Sequence, residues 1–138
     1  MMQFVPEGYA AMLSYLLAAV VATAQCPLPN QTPMLVTQLF FGRDIAGRAP
    51  LTDAEWSQFV DDTLARNFPD GFTVSEGEGQ WLDPKTHQVA QERSKIVIVA
   101  AAPAPDLARR TEAVMADYRT RFHQESVGVL TTTECGSF

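Results

Sequence analysis

The stretch from Trp56 to Trp81 constrains the chain more than any other. Thr52 is a good N-cap, and Glu55 three residues later completes a capping box. Leu51 before the cap and Trp56 after it can close a hydrophobic staple, which fixes the angle at which the chain enters the helix. Trp56, Phe59, Val60 and Leu64 follow at helical spacing and form one apolar stripe. The helix must end near Phe68-Pro69, because proline disfavours helical geometry in the residue before it. Pro69-Asp70-Gly71 then turns the chain. Phe72-Thr73-Val74-Ser75-Glu76 alternates apolar and polar, as a half-buried strand does. Gly77 and Gly79 are expected to bulge or bend that strand before Trp81 closes it.

Two runs on either side of this corner are apolar at nearly every position. They are Met34 to Phe41 and Ser94 to Ala101, and each reads as a central strand packed on both faces. Asp83-Pro84-Lys85-Thr86 supplies the turn into the second run. Pro103-Ala104-Pro105 ends it, and Asp106 is placed to cap a second helix. Leu107, Thr111, Val114, Met115, Tyr118 and Phe122 share one face of that helix. A threonine-rich strand from Ser126 to Thr133 suits a sheet edge. The order β-α-β-β-α-β predicts an α+β, ferredoxin-like split βαβ fold, an antiparallel sheet with two helices on one face. Its first and third strands are central, and its fourth runs antiparallel beside the first.

Upstream, Ala10 to Ala22 is apolar but shorter than the roughly 20 residues that span a bilayer. Ala22-Thr23-Ala24 follows as a small-x-small cleavage site, so residues 1–24 read as a signal peptide. Met1 to Tyr9 hold Glu7 and no Lys or Arg, which departs from the usual basic start and leaves a retained anchor as the alternative. Residues 25–33 are a Pro-rich segment, and residues 34–138 form one α+β domain. The expected location is secreted or periplasmic, touching a membrane only through the signal peptide. The chain of 138 residues carries a net charge of −6, and an acidic surface argues against nucleic acid as a partner.

Cys26 and Cys135 are the two cysteines. In an exported chain they are most simply one disulfide. A lipidated Cys26 is the rival reading, weakened by Gln25, which stands where a small residue would be expected.

The chemistry legible in the sequence is sparse. His87 and His123 share no helical spacing and no cysteine at zinc-ligand spacing, so no metal site and no cofactor is expected. Gly-x-Ser-x-Gly, dinucleotide and phosphate-loop patterns are missing from the sequence. The best polar group of residues is Glu92 and Arg93 with Tyr118, Arg119, His123 and Gln124. In it Glu92 is a candidate for proton transfer and Arg93 for holding an anion, with a salt-bridged surface as the plainer explanation. The sheet offers another lead. Val36, Gln38 and Phe40, grouped with Lys95, Val97 and Val99, would make a face too apolar to be left wet. The first expectation is therefore a non-catalytic domain that homodimerises or binds a small ligand through the open sheet face. The alternative is a small cofactor-free enzyme of the dimeric α+β barrel type, built on Glu92, Arg93, Tyr118 and His123.

Six segments resemble one bacterial family. They are Leu39-Phe40-Phe41-Gly42, Glu55-Trp56-Ser57-Gln58-Phe59, Phe68-Pro69-Asp70-Gly71-Phe72-Thr73-Val74, Gly79-Gln80-Trp81, Glu92-Arg93-Ser94-Lys95 and Tyr118 to Val127. In this order they are similar to DUF3574, a family of unknown function. Arg66-Asn67 departs from the Pro-Arg that the family pattern carries before Phe-Pro. The resemblance implies an exported bacterial domain and supplies no activity, substrate or catalytic residue.

Overall fold

The computed structural model describes residues 26–138. The leader and its cleavage site lie outside the described residues. Strand β1 (Thr32–Gly42) leads to helix α1, which starts as Asp53–Phe59, widens into a π-helical turn over Val60–Leu64 and finishes as Ala65–Asn67. Strand β2 (Thr73–Leu82), strand β3 (Val89–Ala101), helix α2 (Leu107–Phe122) and strand β4 (Gly128–Gly136) follow. The fold is α+β, a four-stranded antiparallel sheet with two helices. The strand order is β2-β3-β1-β4, with every neighbour antiparallel. The two doubly apolar runs are the central strands.

Helix α1 starts as its sequence dictates. Thr52 accepts from the Glu55 N–H, and the Glu55 carboxylate accepts from the Thr52 N–H at 2.9 Å. Leu51 and Trp56 are both buried beside this cap. The π-helical turn was not legible. It adds a residue to one turn, so that Thr63 as well as Leu64 faces inward. Thr63 Oγ1 then donates to Asp117 of α2 at 2.5 Å. Asp106, expected to cap α2, makes no side-chain cap bond. Its carboxylate instead pairs with Arg110 Nε at 3.2 Å, one turn along.

The core lies between the helices and one face of the sheet. Thr37, Leu39 and Phe41 of β1 and Lys95, Val97 and Val99 of β3 are buried there. Phe41 meets Trp56, Phe59 and Tyr118 edge-on, at centroid distances of 5.5, 5.6 and 4.7 Å. Such edge-to-face pairs add about 0.5–1.5 kcal/mol each beyond their burial.

Two expectations about the sheet are corrected. The register pairs Leu39 with Val97 and Thr37 with Val99, whereas Val36 faces Ala100, Gln38 faces Ile98 and Phe40 faces Ile96. Directly opposed residues share a face. Lys95, Val97 and Val99 therefore belong to the helix side, opposite to Val36, Gln38 and Phe40. The open face takes Ile96, Ile98 and Ala100 from β3 instead. Nor does β2 bulge, since its register with β3 runs unbroken from Thr73 to Leu82. Gly77 sits where a Cβ would strike Ile96 Cδ1 at 2.8 Å and Ser94 Oγ at 2.9 Å. The missing side chain makes room for a neighbour on the same face.

The two ends of the described residues are held to each other. Strand β1 begins at Thr32, inside the Pro-rich segment, because β4 supplies a partner: Pro33 lies opposite Cys135. Cys26 and Cys135 form a disulfide with their Cα atoms 5.5 Å apart.

Candidate functional site

A cavity of about 600 Å³ opens at the end of the sheet where β1 stops, on the face without helices. That volume is within the range of small-molecule sites. Gly42 forms part of its floor. A Cβ there would overlap the Glu92 carboxylate, whose Cδ lies 2.9 Å from that position, so the glycine is what lets Glu92 fold over the strand end. The Asp44 N–H reaches Glu92 Oε1 at 3.4 Å, and Gln124 Nε2 donates to the Asp44 carbonyl at 2.7 Å. These contacts tie the loop after β1 to the segment after α2, and both line the cavity. His123 reaches the wall because it caps α2 in a left-handed conformation, φ 52°, which turns the chain out of the helix. Trp81 forms another wall and is 49% exposed. Asp44, Glu92 and Glu125 are all in the lining, which contains no Lys or Arg.

Of the six residues grouped from sequence, this cavity brings together Glu92, His123 and Gln124, and Arg119 stays outside its lining. Arg93 alternates to the other face of β3, where it lies opposite Glu78. Tyr118 is buried in the aromatic core and donates from its hydroxyl to the Gly42 carbonyl at 2.7 Å. Burial pushes that phenol well above its ordinary pKa of 10. Tyr118 therefore holds the strand under the cavity from behind and does not line it. Trp81, Asp44 and Gly42 were not marked as site residues by sequence reasoning. The local signal for Gly42 is a glycine ending a run of bulky residues.

On the helix side the structure holds a polar group that sequence reasoning missed altogether. Arg43 and Lys95 are both buried. Arg43 Nη2 lies 3.1 Å from Asp53 Oδ1, and Arg43 Nε donates to the Leu51 carbonyl at 3.0 Å. Lys95 Nζ pairs with Glu76 and lies 3.4 Å from Asp53 Oδ1, and it sits 5.9 Å from the Trp56 ring centre. The Lys95 hydrogen bond, then the Arg43 charge, holds the Asp53 carboxyl below its ordinary pKa of 3.8. Every charge in this group has a partner, so it locks α1, β2 and β3 together. A lysine inside an otherwise apolar run was the available signal.

The sequence pattern of the DUF3574 proteins, described as proteins of unknown function, matches residues 36–138. The chain belongs to the DUF3574 family. Among solved structures it is similar to a phage SAM lyase in complex with S-methyl-5'-thioadenosine, with a TM-score of 0.55 and 15% identity over 75% of this chain and 90% of that one. A phage SAM lyase in the apo state gives a TM-score of 0.53 and 18% identity over 83% of this chain and 97% of that one. At these identities the likeness is one of fold. Among curated proteins no match was found.

Proposed function

We propose that this DUF3574 chain is a small-molecule-binding domain whose site is the cavity at the Gly42 end of its open sheet face. The ligand class is an organic cation with a flat aromatic part. One observation carries this: the cavity sets the Glu92 carboxylate, seated over Gly42, beside the half-exposed indole of Trp81, with Asp44 and Glu125 in the wall and no basic side chain there but His123. Carboxylates attract a cation and repel an anion, and an indole face adds cation–π attraction and stacking. The apolar character of the open face along Val36, Phe40, Ile96 and Ile98 supports the same side of the sheet as the place where a ligand settles. We read the strand order as a ferredoxin-like split βαβ fold. SAM, a sulfonium cation, and S-methyl-5'-thioadenosine, a neutral thioether, are named by the proteins of similar fold and are the first probes to use. Export to the periplasm or beyond belongs to the same reading, supported by the apolar leader and the Cys26–Cys135 bridge. Among the described residues no helix is long and apolar enough to cross a membrane.

Titration calorimetry with both probes tests the site. SAM is expected to bind more tightly than the thioether, and Glu92→Gln to weaken SAM about tenfold, a loss of about 1.4 kcal/mol. The melting temperature should not change. Failure of both probes to bind, or binding indifferent to both Glu92→Gln and Trp81→Ala, would overturn the proposal.

A second reading rests on Glu92 and His123 lining one cavity, which places two side chains of the types used in proton transfer in one site. If the site turns its ligand over, Glu92→Ala and His123→Ala should abolish product formation while Trp81→Ala chiefly raises KM. Equal loss of kcat in all three would contradict it.

A further inference from the structure

The two edges of the sheet are finished differently. The β2 edge carries Glu76 and Glu78 on one side and Gly77 and Gly79 on the other. Charges and glycines of this kind blunt an edge against pairing with another chain. From Gly128 to Thr133 the β4 edge has no charge, no proline and no bulge. Among the described residues β4 pairs with β1 alone, so its outer row of N–H and C=O groups faces outward. Its side chains are also poorly covered on both faces. Val129 is 42% exposed on the helix side and Leu130 58% exposed on the open side. Between β4 and α2 runs a mainly apolar groove of about 550 Å³, lined by Val129, Thr131 and Thr133 with Leu35, Leu107 and Met115.

We infer that a second copy of this chain pairs with the β4 edge, antiparallel about a two-fold axis at Thr131, to make one continuous sheet. The sequence of β4 is what selects a copy of itself. With the axis at Thr131, Val129 of each copy lies opposite Thr133 of the other, Leu130 opposite Thr132, and Thr131 opposite itself. Residue pairs related by this axis fall on the same face in both copies. Pairing therefore sets β-branched and apolar side chains across from threonines on both sides, which are favourable cross-strand neighbours. It also brings the two α2 grooves together across the joint, where each can cover the other's Val129 and Met115. An isologous contact of this form closes on itself and leaves no growing edge, because the blunted β2 strands become the ends of the joined sheet. The cysteine bridge supports the geometry, since it holds the far end of β4 to the segment before β1 and keeps the strand from fraying.

This pairing is independent of the ligand site. Sedimentation velocity of the oxidised protein should show a dimer, and Leu130→Lys with Thr132→Lys should convert it to a monomer that keeps the folded circular-dichroism spectrum and whose melting temperature, unlike that of the unchanged protein, does not rise with protein concentration. Should that variant fail to fold, cysteine cross-linking decides. Thr131→Cys should give a reducible covalent dimer under mild oxidation, with the Cys26–Cys135 bridge intact by mass, whereas Ser75→Cys on the β2 edge should not. A monomer from the unchanged protein, a dimer that survives the lysine substitutions, or equal cross-linking from Thr131→Cys and Ser75→Cys would overturn the inference.

Discussion

Phe40 and Phe41 are neighbours in the chain and lie on opposite sides of the same strand. Phe41 is fully buried among Trp56, Phe59 and Tyr118. Phe40 is half-buried, faces Ile96 across the sheet and lines the cavity. The difference extends along both central strands. The helix side holds aromatic packing, a capped helix start and a cation pair with every charge matched. The open side holds half-covered aliphatic residues, glycines, and a carboxylate facing a cavity. One side has the features of a surface that keeps the fold, the other those of a surface with capacity to spare for a ligand.

Substitutions can break this division, and the sharpest contrast is between the two phenylalanines. Phe41→Ala should cost about 3–5 kcal/mol, the usual range for emptying a packed aromatic site, by chemical denaturation. Phe40→Ala should cost less than half of that and weaken ligand binding instead. Similar losses for both would show that the open face is as tightly packed as the core. Next in size is the helix start: Thr52→Ala removes a reciprocal cap and should cost about 1 kcal/mol. Gly42→Ala probes the boundary between the sides. The added methyl displaces the Glu92 carboxylate and should lower affinity for SAM while shifting stability by less than about 0.5 kcal/mol.

The smallest expected effect is on pH. The Thr52 N–H, then Arg48, holds the Glu55 carboxyl down from its ordinary 4.5 to about 2. As pH falls below 4.5 the unfolded chain takes up this proton before the folded one, so the stability the carboxylate gives is present above that pH and drains away towards pH 2. Glu55→Gln should flatten the melting temperature between pH 4.5 and 2 relative to the unchanged protein. An unaltered acid limb would show that Glu55 does not carry it.

Much of the fold was legible because local and global signals agreed. The capping box at Thr52, the stop at Phe68-Pro69 and the doubly apolar runs each follow from residue chemistry within a few positions. What escaped needed knowledge of partners. The face on which Val97 lies depends on its register with Leu39, and a slip of one residue reverses it. The π-helical turn answers to Asp117 from another helix, and the ordered start of β1 answers to β4. The cavity was half legible: Glu92, His123 and Gln124 could be named from sequence, but Gly42, Asp44 and Trp81 could not. Arg93 adjoins Glu92 in the chain and for that reason points the other way, while Tyr118 was drawn into the core by its aromatic neighbours.

The open face, at its Gly42 end, is the place we propose for the ligand of this DUF3574 protein. Amide chemical-shift mapping during titration with SAM tests it most directly. Saturable shifts are expected at Phe40, Gly42, Trp81, Glu92, Ser94 and Gly128, with Val114 and Leu64 on the helix side unmoved. Shifts concentrated on the helix side, or none at saturating SAM, would contradict it.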